Sequence, residues 1–280
     1  MKRILAALLA LLLLMAWARP RAVATLPPYA SLAGYVLGPG WTVEALLPPG
    51  ANPHLYQPRP SDLKRVAGAR LVIMNGFGLD DWVVDRLVRP NNLKARVLSA
   101  EAGLKPHAVR LPSGELDPHV WTDPLLMALF GFDLARVAGT LDREHKDAYL
   151  TRARQLADRL FALDQALREA IEKAPGRAFV AYKNPFSYLV RRYDLKRLFL
   201  IGKSPSAGVT PKELAEAARV LKAHHLKGFL SPYQLLPEAR RVAQNLGVKA
   251  YPFYLLDEAD PDYFKTWEAN LKALTAVLGE

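Results

Sequence analysis

Between Leu141 and Lys173 the chain has no proline or glycine, and apolar residues recur there at helical spacing: Ala148, Leu150, Ala153, Leu156, Leu160, Leu163, Leu167 and Ile171. Pro175-Gly176 then punctuates the pattern. A helix of ~30 residues is ~45 Å long, enough to bridge two bodies, so the chain is expected to fold as two units joined by one rod. The flanking sequence agrees with that expectation.

Short apolar runs alternate with helical patterns on both sides of the rod. Before it, 22–26, 42–47 and 71–74 read as strands, with helices near 29–37 and 60–68. After it, 178–182, 198–201, 229–230 and 248–253 read as strands, with helices near 186–193, 211–225 and 262–278. Thr210-Pro211-Lys212-Glu213 supplies an N-cap, a first-turn proline and a capping-box glutamate. Such alternation implies βαβ units, so the fold class is α/β, two lobes with mostly parallel sheets joined by one long linker helix. The expected division is a leader over 1–18, a first lobe over 19–140, the linker over 141–174 and a second lobe over 175–280.

The leader is read from Lys2 and Arg3, an apolar run from Ile4 to Trp17, and the small residues Ala16 and Ala18 around Trp17. This is the pattern of an export signal cleaved near Ala18, too short to span a bilayer comfortably. With no cysteine in the chain, a lipid-anchor thiol, disulfides and thiolate metal sites are all excluded. A protein free in a periplasm-like space is expected, most simply a monomer. Removing the leader lowers the formal charge from +11 by Lys2 and Arg3. The remaining basic residues are spread along the chain with no nucleic-acid module, so nucleic acid is not an expected partner.

Two phrases carry chemistry. One is Gly50-Ala51-Asn52-Pro53-His54-Leu55-Tyr56-Gln57-Pro58-Arg59-Pro60-Ser61-Asp62, and the other is Asp117-Pro118-His119-Val120-Trp121-Thr122-Asp123-Pro124. The prolines around each histidine stiffen its loop, which lowers the ordering cost of binding. A divalent transition ion takes neutral imidazole and carboxylate where thiolates are missing, so His54 and His119 are the candidate metal ligands. His54 also follows a strand, at the end where α/β lobes place ligands.

These phrases, with Asn75-Gly76 after a strand, the long linker and Thr210-Pro211-Lys212-Glu213-Leu214, make the chain resemble a known family across residues 22–280. This is the metal-binding, helix-linked class of substrate-binding proteins of ABC transporters, the group that delivers zinc or manganese to an importer. The resemblance implies capture of a divalent ion, zinc ahead of manganese, and delivery to a membrane permease and its ATPase. It also implies four ligands, and there the sequence departs from the pattern. The third position aligns with Lys183, whose ammonium has no lone pair, and the fourth with Asp257, beside Glu258 and Asp260. Three accounts of Lys183 stand open. His54, His119 and Asp257 bind the ion with water or the Asn184 amide oxygen while Lys183 swings to solvent; or Lys183 pairs with Asp257 and replaces the metal; or another donor enters.

The other candidates read as structural. His224-His225 suits the end of a helix, His145 the start of the linker, and His107 stands alone where zinc-delivering relatives carry a histidine-rich insertion. Asp123 reads as the N-cap of a helix from Pro124, and Trp82, Trp121 and Tyr188 as packing residues. No motif places a general base beside the histidines, so a hydrolase is the weaker class. A degenerate member that binds a non-metal ligand, or serves as a non-transport binding module, is the alternative that Lys183 favours.

Overall fold

The computed structural model describes residues 19–48, 50–91, 93–183, 185–202, 208–256 and 258–279. The leader, Asn184 and Asp257 lie outside the described residues. The first lobe holds strands β1 (Arg21–Ala24), β2 (Thr42–Ala45), β3 (Leu71–Met74) and β4 (Arg96–Ser99). Its helices are α1 (Pro27–Leu37), α2 (Pro60–Ala67) and α3 (Ala100–Leu104). All strand pairs are parallel, in the order β2-β1-β3-β4. Leu71, Val72, Ile73 and Met74 are all buried, as a parallel strand covered on both faces requires.

The second lobe repeats the arrangement. Strands β5 (Ala178–Tyr182), β6 (Lys196–Ile201), β7 (Gly228–Pro232) and β8 (Lys249–Phe253) pair in parallel in the order β6-β5-β7-β8. Here α6 (Ser187–Tyr193), α7 (Pro211–Ala223), α8 (Leu236–Leu246) and α9 (Tyr263–Gly279) cover the sheet. At α7 the expected signals are realised, with Thr210 and Glu213 forming a reciprocal capping box and Pro211 in the first turn. In both sheets the strand order reverses between the first and third strands, which opens a crevice at their carboxyl ends.

Between the lobes lie α4 (Pro124–Leu141) and α5 (Lys146–Lys173). The rod therefore starts later than its apolar spacing suggests. Asp142 leaves helical geometry at φ −141°, ψ 89°, and its carboxylate accepts from the Tyr149 hydroxyl at 2.7 Å and meets His145 Nδ1 at 2.9 Å. That local alternative to helix continuation ends α4 and turns the chain into α5. At 28 residues, α5 is about 42 Å long. Near its start, Arg152 Nε donates to Val36 O at 2.7 Å, capping α1 of the first lobe. Near its end, Asp164 accepts from Arg192 Nε at 2.6 Å and from the Tyr193 hydroxyl at 2.9 Å, both on α6 of the second lobe. Among the described residues, only α4 has the length and hydropathy of a membrane span, but most of it is buried inside the protein.

One connected apolar core runs from the first sheet through α4 and α5 to one face of the second sheet, ending at Phe179, Ala181, Leu230 and Phe253. The other face of that sheet packs Val180, Phe199, Ile201 and Phe229 under α7 and α8 as a separate cluster. The lobes thus share their core, which opposes wide hinge opening, because close-packed interiors do not deform continuously.

Candidate metal site

The loop after β2 presents His54 on a single 3₁₀ turn, Pro53–Leu55. Asn52 caps that turn by accepting from the His54 amide at 3.0 Å. The rest of the phrase holds the loop in place. Asp62, almost fully buried, accepts from the Tyr56 hydroxyl and from the Arg59 amide, both at 2.8 Å. The desolvating crevice, and then the neighbouring His119, push the His54 imidazole down to about 4, with Asp117 opposing them. The residue as a whole is exposed, so water reaches the ring. At neutral pH His54 is therefore an uncharged lone-pair donor.

His119 is held more tightly. Asp117 Oδ1 accepts from the His119 amide at 3.0 Å and meets His119 Nδ1 at 2.6 Å. A carboxylate only accepts, so that contact puts a proton on Nδ1 and makes Nε2 the nitrogen left for a metal, the arrangement in which a carboxylate orients a metal-binding histidine. Burial acts to raise the Asp117 carboxyl, but the hydrogen bonds and charge of His119 hold it below its ordinary value. The His119 side chain is 12% accessible, and its ring lies 5.2 Å from that of Trp121.

The two histidines, far apart in sequence, come together with ring centroids 5.7 Å apart. Two imidazoles bound to one tetrahedral zinc at ~2.0–2.1 Å place their centroids about 5 Å apart, so the pair fits a shared ion after a small adjustment.

A buried polar frame beneath the site explains Asn75-Gly76. Asn75 accepts from the Tyr29 hydroxyl at 2.6 Å and donates through Nδ2 to Pro118 O at 3.1 Å, next to His119. Gly76 has φ +81°, and a Cβ there would stand 2.7 Å from both Ser99 Oγ and Glu101 Cβ, so only glycine fits. Asp80 closes the frame, accepting from the Asn75 amide at 2.8 Å, the Gly76 amide at 2.7 Å and the Thr25 hydroxyl.

Burial pushes the Asp80 carboxyl up to about 6, against its hydrogen bonds. An unfolded aspartate titrates near ~3.9. Between those values the folded chain binds the proton and the unfolded chain does not, so Asp80 contributes stability below about pH 4 that is lost as pH rises through 6. Relative to Asp80→Asn, the wild type is expected to lose roughly 2 kcal/mol between pH 4 and pH 7. Urea unfolding of both proteins across that range checks this, and a difference that stays constant with pH would refute it.

The second lobe contributes less uniformly. Lys183 follows β5 in the left-handed region at φ +57°, with its amide donating to Ile201 O at 2.9 Å. Its side chain is half-buried along Gly202, with Nζ 5.9 Å from the Tyr182 ring centroid. It runs along its own sheet rather than out into solvent. Of the two neighbours of Asp257, Glu258 accepts from the Leu256 amide at 2.9 Å and from Gln234, and burial raises its carboxyl. Asp260 accepts from the Asp262 amide at 2.8 Å. Both carboxylates are committed to the loop. Among the described residues no group of three or more histidine and carboxylate side chains is placed to hold a metal.

Asp123 caps α4, accepting from the Leu125 amide at 3.0 Å. His107, His145, His224 and His225 lie exposed and away from the pair. The sequence reading missed the orienting role of Asp117, although an Asp two residues before a histidine is the spacing of an Asx turn. It also missed that Trp121 is a tie as well as a packing residue: its indole donates to Leu255 O at 2.8 Å. That bond draws the loop leading to Asp257 against the His119 loop.

Comparison with known proteins bears on the family and the fold. The chain is 25% identical over 234 residues to the iron-binding protein YfeA of Yersinia pestis, covering 82% of this chain and 75% of that one. It is 26% identical over 275 residues to the zinc-binding lipoprotein AdcA of Streptococcus pneumoniae, covering 90% of this chain but spanning only 54% of the relative. Among solved structures, ZnuA superposes with a TM-score of 0.83 at 18% identity, covering 92% of this chain and 99% of that one. The laminin-binding protein Lmb of Streptococcus agalactiae, described as having adhesin and metal-transporting activity, superposes at 0.81 with 26% identity, covering 92% and 99%. The model of the family described as zinc-uptake complex component A, periplasmic, matches residues 22–277, and the chain belongs to that family.

Proposed function

We propose that this chain captures one divalent transition-metal ion outside the cytoplasm, zinc ahead of manganese, and delivers it to an ABC permease driven by its ATPase. The observation that carries this reading is the His54–His119 pair, two imidazoles 5.7 Å apart with His119 oriented by Asp117. Nitrogen donors suit zinc better than manganese, which prefers oxygen. The names of relatives, zinc-binding for AdcA and iron-binding for YfeA, support a divalent transition ion as cargo.

In this reading Asp257 of the second lobe completes the set with His54 and His119, and water or the Asn184 amide fills the remaining position. Joining donors from both lobes biases their relative orientation, a change that a permease can read. The shared core and the long helix keep that change small. The function is capture and delivery, not catalysis, by an exported monomer cleaved near Ala18.

The position of Lys183 favours a second reading, a degenerate member in which an ammonium replaces a ligand and the crevice takes a non-metal ligand. Stoichiometry separates the two. The untagged chain, stripped with chelator and titrated with zinc and then manganese, is expected to hold one ion per chain. No uptake of either ion would leave the second reading standing.

A further inference from the structure

By sequence, residues 107–123 belong to the first lobe, which they close before α4. Their anchors belong largely to the second. The Tyr188 hydroxyl on α6 donates to Asp117 O at 2.7 Å and accepts from the Val109 amide at 3.3 Å. The next turn of α6 reaches the two ends of the segment. Arg191 donates to His107 O at 2.6 Å, and Arg192 pairs with Asp123 at 3.5 Å. Trp121 donates to Leu255 O and accepts at its own carbonyl from the Tyr263 hydroxyl, both at 2.8 Å. The first lobe offers the bond from Asn75 to Pro118 O.

We infer that Tyr188 is a positioning residue for His119, and that residues 107–123 move with the second lobe during metal capture. The chain of contacts is short. Tyr188 sets the main chain at Asp117, and Asp117 Oδ1 sets the tautomer and direction of the His119 ring. Through Arg192 and Tyr193 the same helix is fastened to Asp164 of the linker. The moving boundary then falls between the two histidines. His54 rides on the first lobe, while His119 rides on the second lobe and the linker, so the ion closes a gap between them.

This inference rests on the metal reading, and two measurements on the intact chain separate them. Tyr188→Phe keeps the buried ring and removes only the hydroxyl. In the metal-free protein, amides of 107–123 are expected to exchange hydrogen about tenfold faster in this variant, with β1 and β3 unchanged. Zinc affinity is expected to fall by about tenfold, the lower end of what loss of an outer-shell partner costs. Arg191→Gln, an exposed change that leaves the core intact, should act in the same direction and more weakly. The ¹⁵N shifts of His119 should show loss of the pure Nδ1–H tautomer in Tyr188→Phe, which a purely structural role would not produce. Zinc affinity within twofold of wild type would overturn the inference, as would exchange that accelerates equally in β1 and β3. A wild type that binds no metal would sink the metal reading and the role of Tyr188 toward the ion, while exchange would still decide which lobe carries the segment.

Discussion

His119→Ala is expected to weaken zinc binding by more than about a hundredfold, beyond the range seen when only an outer-shell partner of a metal ligand is lost. His119 is the better-prepared of the two histidines, because Asp117 fixes its tautomer at 2.6 Å and Trp121 packs beside it. The substitution also removes the ring's hydrogen bond to a buried carboxylate that is 1% accessible, leaving it the bond from the residue 119 amide. A stability loss of about 1–3 kcal/mol should accompany the affinity loss. A chelator-competition titration, paired with urea unfolding, reads both effects. Alanine at His107, which is exposed, should change neither. Zinc affinity that survives at His119→Ala would remove this site as the binding centre.

Lys183→His is expected to act in the opposite direction, tightening zinc binding by about ten- to a hundredfold as a lone pair replaces an ammonium. The backbone suits the change. At φ +57° the position lies in the left-handed region, where histidine is several-fold enriched among non-glycine residues. Lys183→Gln, which removes the charge without adding a strong donor, should fall between wild type and Lys183→His. The same titration checks the series, and weaker binding in Lys183→His would mean that the lysine supports the site as it stands.

Much of the fold was legible because its signals are local. The short, uniformly apolar Leu71-Val72-Ile73-Met74, rich in β-branched residues, suits a strand covered on both faces, and Thr210-Pro211-Lys212-Glu213 can satisfy a helix start by itself. The two histidine loops were legible for the same reason, since Pro53, Asn52 and Asp117 shape each turn within three residues of its histidine. The start of the linker was not, because apolar spacing continues through Leu141 while a carboxylate contact to His145 and Tyr149 breaks the helix at Asp142.

The sequence by itself therefore determined the α/β alternation, the bridging helix, the absence of thiolate chemistry and the two imidazoles. The tertiary structure alone decided that those imidazoles face one another, that Lys183 lies along its own sheet, and that the His119 loop is fastened to the second lobe. The bonds that make the last of those choices join residues 71 and 134 positions apart, as in Tyr188 to Asp117 and Trp121 to Leu255. Periodicity and capping report only on neighbours within a turn or two, so contacts at that separation exist only once both sheets and the linker have packed.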